Sequence, residues 1–365
     1  MIEMLIAMVL SSIVVYAGIS MFLASRGTAS TTAAVGAVTD SGRVALDFIG
    51  DSVRGGGAMQ CNAINAVRGQ IINAATPLTL RSIMNAGATP LQLDYAHAFG
   101  GFEAAGTAPG GTPIMANTPI VADPAGSDWS TAGGGALDAL LLNRVVKGSD
   151  VLAVRESAAQ NAAVYTMAPY TSGSGQVAIT VNDVGNLQPL QYAVISNCAF
   201  STVFQINTVS AATQTITTNG PLDTGSGDLQ WDYQEGSAIN GVDMTVYFIA
   251  PGRDTDSALF SYDEWTGQFQ QLVPDVENMQ LLYGVAQSLP NQVTNYVTAD
   301  QVQDFNQVVS VQVALLIASP PGTRAVAQPP AAPTFNLLGT LVSAPLDERM
   351  RKVFQTTIGV QNAAD

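Results

Sequence analysis

The sequence predicts an α+β fold in which one long N-terminal helix packs on a large, mainly antiparallel β head. Three observations point to it. Residues 4–24 (MLIAMVLSSIVVYAGISMFLA) carry no charge, a helical spacing of apolar residues continues behind them to the triple glycine at 55–57, and from about residue 150 onward β-branched and aromatic runs alternate with turn residues. The chain accordingly divides into a helix over 1–54, a loop-rich Ala/Gly/Thr/Pro region of the head over 55–149, and a β-rich part of the head over 150–365.

The uncharged run from Met4 to Ala24 makes about 32 Å of helix at ~1.5 Å per residue, enough to cross a bilayer core of ~30 Å. A secretory signal peptide would need a basic opening and a shorter apolar stretch before a small-residue cleavage site. Here the sole charge before Arg26 is the acid Glu3. Behind the run, Val38, Ala45, Phe48, Ile49 and Val53 recur at helical spacings, which predicts that 1–24 is apolar all round and that 25–54 is an amphipathic half lying on the head. Gly55, Gly56 and Gly57 end the helix. Gly18, Ser25, Gly27 and Gly36 are weak points, since glycine has little helical propensity.

Glu3 needs a reason, because a carboxylate inside an apolar helix costs several kcal/mol unless it is paired or reaches the interface. One reading seats it in the headgroup region. The other pairs it with the free α-amino group of a neighbouring copy or paralogue, making it a carboxylate that sets subunit register.

In the head, residues 62–140 show few periodic stretches (AAGTAPGGTPIMANTP, STAGGGALD) and are expected to be long loops with short strands. Strands are predicted at DVLAVR, QVAITV, TVFQINTV, TQTITT, MTVYFIA, SALFSY, QFQQLV, MQLLYGV, VVSVQVALLIA and VFQTTIGV. Glycine, proline, Asn and Asp punctuate them, as at Pro251-Gly252. The two cysteines, Cys61 just past the helix and Cys198, make a poor metal site without a histidine cluster. For a membrane-anchored protein with its head outside the cytoplasm a disulfide is expected, worth roughly 4–5 kcal/mol in the chain-entropy description. Two buried free thiols are the alternative.

Thirteen Lys and Arg stand against 28 Asp and Glu, a net charge of −15, and there are only two lysines, Lys147 and Lys352. Nucleic-acid binding needs clustered cations that displace counterions, and the one short basic cluster is Arg349 to Lys352, so no nucleic-acid partner is expected. The charged fraction of 11% is below the ~25% of an ordinary soluble domain. A membrane segment and a surface of Thr, Ser, Asn and Gln account for it.

No chemistry-bearing constellation emerges. The one histidine, His97, has no nucleophile elbow, second histidine or phosphate loop to work with, so neither a catalytic nor a cofactor site is expected. Asp254 and Asp256, and Asp223, Asp228 and Asp232, offer oxygens on turns but lack EF-hand spacing, so Asx turns explain them and no metal is expected. Trp129, Trp231 and Trp265, lying in or beside strand-like runs, are expected in the core or in cross-strand pairs.

The opening MIEMLIAMVLSSIVVYAGISMF resembles the N-terminal signature of type IV pilins and type II secretion pseudopilins, an apolar processed helix around a single glutamate, here Glu3. The family's short basic leader is not in the sequence, which therefore looks like a mature or trimmed chain. The resemblance narrows in SGRVALDFIGDSVRGGGAMQC, KGSDVLAVR, AVISNCAFSTVFQIN, TVYFIAPGRDTDSALFSY, QQLVPDVENMQLLYGV, VVSVQVALLIAS and RMRKVFQTTIGVQN, which fall in the order used by PilW-type minor pilins.

It implies a type IV pilin-like fold and a structural, non-enzymatic subunit, processed by prepilin peptidase with N-terminal methylation. The helix would anchor in the bacterial inner membrane with the head in the periplasm, and residues 1–24 would then enter the core of an extracellular pilus. Partners would be other pilins and minor pilins, with a tip adhesin possible, and the subunit would prime assembly at or near the tip. A secretion pseudopilin, a membrane-tethered periplasmic adhesin or binding module, and the main subunit of a homopolymeric filament are the alternatives.

Overall fold

The structure is a computed structural model and describes residues 2–59, 62–63, 80–82, 97–116, 118–120, 128–131, 137, 139–167, 177–196, 201–218, 235–286, 292–323 and 329–360. It shows the expected α+β architecture. Helix α1 runs over Ile2–Gly55, and the head is built on antiparallel sheet. Where side chains are described, every residue from 2 to 29 is exposed, whereas Ala34, Val38, Ala45, Ile49 and Val53 are buried. Those steps of four and seven bring one helix face inward. Phe48, expected on the same stripe, is 44% exposed. Successive helical residues are about 100° apart, so with Ile49 facing inward Phe48 turns out toward solvent. The helix ends where Gly57 takes a left-handed φ of 78° and donates its N–H to the carbonyl of Arg155 at 2.8 Å; a side chain there would be strained.

Ten strands organise the rest: β1 (Phe99–Ala104), β2 (Val151–Met167), β3 (Tyr192–Ser196), β4 (Ser201–Ser210), β5 (Ala238–Ala250), β6 (Ala258–Asp263), β7 (Gln268–Pro274), β8 (Val276–Val285), β9 (Val308–Ala318) and β10 (Arg351–Gly359). A large sheet runs β7-β6-β5 and divides at β5, which pairs with both β3 and β2. From β3 the order continues through β4, Thr215–Thr218 and Ala178–Val181 to the far end of β2, so these strands close on themselves. That ring has its own core of Ile179, Ile195, Phe204, Ile206, Ile216 and Ile239. A second sheet has the order Asn295–Val297, β8, β9, β10. Two short parallel pairings, Leu80–Ser82 with β4 and Ile114–Met115 with Thr340–Ser343, depart from the antiparallel rule.

The main core lies where the inner half of α1 meets both sheets, with Val38, Ile49 and Val53 against Phe99, Val154, Ile249, Met279, Tyr283, Val313 and Leu315. Strand alternation decides which side chain goes where. In β5, Tyr247 and Ile249 join this core, while Val246 and Phe248 point to the opposite face. That opposite face is covered by the loop-rich region, through Trp129, Leu137, Leu141 and Val145. Gly42 lets the helix approach β10 closely, because a Cβ there would fall 2.6 Å from the Phe354 ring.

Candidate functional site

The part of the molecule that the head does not use is the outer half of α1. By length and composition it can cross a membrane, with a mean hydropathy of 2.2 over its most apolar window, none of which is buried. Glu3 sits exposed in its first turn, where the partial positive charge of the helix N-terminus favours a carboxylate. Four of its hydroxyls bond within the helix. Ser11 donates to the carbonyl of Ala7 at 2.5 Å, Ser12 to Val9 at 2.8 Å, Ser20 to Ala17 at 2.9 Å and Thr28 to Ala24 at 3.1 Å. Back-bonding of this kind hides a polar group from an apolar environment. Gly18, Gly27 and Gly36 have no atom within 4 Å of the place a Cβ would take, so nothing in the isolated chain demands glycine there. Val44 and Phe48 add an exposed apolar pair at spacing i, i+4 on the inner half.

The other residues singled out by sequence sort differently. Cys61 and Cys198 both lie outside the described residues, as do Asp223, Asp228, Asp232 and Trp231. His97 is half-buried with Nε2 3.6 Å from Asp304 Oδ1, and its backbone carbonyl accepts from Arg155 Nη1 at 3.0 Å. Trp129 is a core residue donating Nε1 to the Ser149 carbonyl at 3.0 Å. Trp265 lies half-buried in the turn between β6 and β7. Asp254 is exposed, and Asp256 accepts from Arg349 at 2.8 Å. Among the described residues no group of His, Cys, Asp and Glu has metal-holding geometry.

Two polar assemblies escaped the sequence reading. The arginines of the basic cluster turn inward while Lys352 stays exposed: Arg349 reaches Asp275 at 2.8 Å and donates Nε to the Ser319 carbonyl at 2.6 Å. Arg351 clasps Glu277 with Nε at 2.7 Å and Nη2 at 2.9 Å, and reaches Asp347 at 2.6 Å. These guanidiniums are saturated by carboxylates inside the head, which removes them as an anion site. Arg351 holds the Asp347 carboxyl below its ordinary range by hydrogen bonding, whereas burial pushes Asp275 up against the pull of Arg349.

The second assembly is acidic and sits between the two sheets. Asp150 accepts from the N–H of Ala104 at 3.0 Å and from the N–H of Leu281 at 2.8 Å, so it bridges β1 of the large sheet to β8 of the second. Ser149 Oγ accepts from the N–H of Met279, and Asn278 and Gln280 both donate to the Gly148 carbonyl. Beside them Glu103 accepts from the Thr107 hydroxyl at 2.8 Å. Burial pushes the Glu103 carboxyl up to about 7, helped by the charge of Asp300 and opposed by Thr107. Burial, and then the charge of Glu103, lift Asp150 well above its ordinary range.

The architecture is a rod whose leading half stands clear of the head and whose trailing half is a wall of the head's core. Residues 246–362, roughly the last third of the chain, match the family model described as Type IV Pilus-assembly protein W. Over that segment the chain is similar to the family. Among solved structures it is similar to a type IV-like pilin from Thermus thermophilus, at 18% identity and a TM-score of 0.23, covering 49% of this chain and 87% of that one. No curated protein matches the chain. The matched segment contains β6 to β10, the buried arginine assembly and the end of β5 from residue 246 onward.

Proposed function

We propose that this protein is a structural, non-enzymatic minor pilin that anchors in the inner membrane through the outer half of α1, with its head in the periplasm. It is then drawn into a type IV pilus or its priming complex, at or near the tip. The observation that carries this is the division of α1: the head uses residues from about 34 inward, and the leading rod is left without a partner of its own. Lipid tails or sister helices can solvate the same all-round apolar surface. Glu3 exchanges the interface for the ammonium of a neighbouring subunit, which sets register along the filament. Gly18, Gly27 and Gly36 are where the rod melts or bends as it enters. On this reading prepilin peptidase would process the chain, other minor pilins would be its partners, and an adhesin at the tip is the partner whose linkage to the shaft this subunit would provide. A Cys61–Cys198 disulfide would tie the segment after the helix to the segment between β3 and β4, and peptide mapping without reductant tests it.

The deciding experiment is Glu3→Ala, read by mass spectrometry of sheared surface fibres and by the level of the protein in the membrane. A minor pilin keeps its membrane level and disappears from the fibres. Unchanged incorporation overturns the proposal.

A further inference from the structure

Glu103 and Asp150 are 5% and 1% exposed, and among the described residues no Lys, Arg or His forms an ion pair with either. A buried carboxylate without a cation is costly unless it is neutralised or given donors. Asp150 has its donors, the N–H groups of Ala104 and Leu281. Glu103 has one, the Thr107 hydroxyl to Oε1; its Oε2 is buried with no hydrogen-bond partner, and so is the hydroxyl of Tyr283, which is fully buried. Every packed element presents acid or hydroxyl to this place: Glu103 from β1, Thr107 from the turn behind it, Asp150 from the start of β2, Tyr283 from β8 and Asp300 from the 3-10 turn Ala299–Gln301. The backbone N–H of Ala299 acts on Glu103 in the opposite sense to burial, as the smallest influence. Two carboxyls sharing such a site do not both ionise readily.

We propose that Glu103 and Asp150 are a proton-holding latch between the two sheets, closed while the pair retains a proton and loosened when both groups are ionised. Asp150 bonds β1 to β8 directly, so repulsion from an ionised Glu103 next to Ala104 acts on the very contact that holds the sheets together. The sign follows from linkage. The folded head keeps a proton that the unfolded chain has lost, so the stabilisation is complete below the ordinary glutamate range. The share that Glu103 holds declines as pH rises and is gone above about 7, where Glu103 ionises in the folded head.

The test is thermal unfolding of the full chain in detergent micelles from pH 5 to 8 at constant ionic strength, for the native protein and Glu103→Gln. The native melting temperature should fall by about 5 °C or more across that range. Glu103→Gln should remove at least half of the fall and melt higher than the native protein at pH 8. Equal slopes overturn the latch. Should the variant not fold, carboxyl-13C-glutamate-labelled Glu156→Gln protein decides, since Glu156 is another glutamate lifted by burial. One carboxyl resonance titrating near neutrality supports the latch. All of them titrating in the ordinary range overturn it.

Discussion

Arg351 shows what single residues contribute here. Its side chain is 2% exposed and Glu277, its bidentate partner, is fully buried. Removing one member of such a pair strands the other charge in a dry site, so Arg351→Met should destabilise the head by about 3–5 kcal/mol. Urea unfolding measures it, and pairing that change with Glu277→Leu should recover much of the loss, because an apolar pair leaves nothing unpaired. Gly101 makes a steric counterpart. A Cβ there would lie 2.0 Å from the Tyr283 hydroxyl and 2.7 Å from its ring carbon, in a core where that tyrosine cannot swing away. Gly101→Ala should therefore cost roughly 1–3 kcal/mol by overpacking, checked by the same denaturation curves.

At the scale of elements, α1 divides into surfaces with different tasks, and neighbouring residues separate them. Ile49→Ala should cost about 2–5 kcal/mol of head stability, since it empties a fully buried site between helix and sheet. Phe48→Ser should leave head stability within about 0.5 kcal/mol, because Phe48 faces away from the head, and on the proposed function it should lower incorporation into fibres. Calorimetry and fibre composition give the two readings. The glycines of the outer half supply a third contrast. Alanine at Gly18, Gly27 or Gly36 meets no obstruction in the isolated chain and should stiffen the helix by about 1 kcal/mol at each position. If melting accompanies entry into a filament, the substituted protein assembles less, and continuous helical density over residues 18–36 in assembled fibres would count against melting altogether.

For the whole molecule, pH acts through opposed groups. Asp347, held low by Arg351, gives stability that is lost as pH falls through its depressed range, while Glu103 and the half-buried Asp243, which burial lifts to about 6, give stability that is lost as pH rises. The head should be most stable in mildly acid solution and lose melting temperature on either side, which a calorimetric pH series will show. The helix and the strands were legible because each is a local pattern: the uncharged run to Ala24, the triple glycine, and runs such as VVSVQVALLIA, whose Val313 and Leu315 face one core while Ala314 and Leu316 face another. The polar assemblies were not. Arg351 and Glu277 lie 74 residues apart, and Asp150 and Leu281 lie 131 apart, so no spacing rule joins them, and RMRK read as a basic cluster. The closed ring of strands was hidden for the same reason, since β2 gives its two ends to different neighbours.

The hydroxyls of Ser11, Ser12, Ser20 and Thr28 in the outer rod lean on carbonyls one turn back within the same helix. A helix that brings its own acceptors asks none of its surroundings. On the proposed function, passage from a fatty medium into a bundle of sister rods would exchange one set of dispersion contacts for another and leave those four hydroxyl bonds intact, so that Glu3 would be the charged group with most to negotiate.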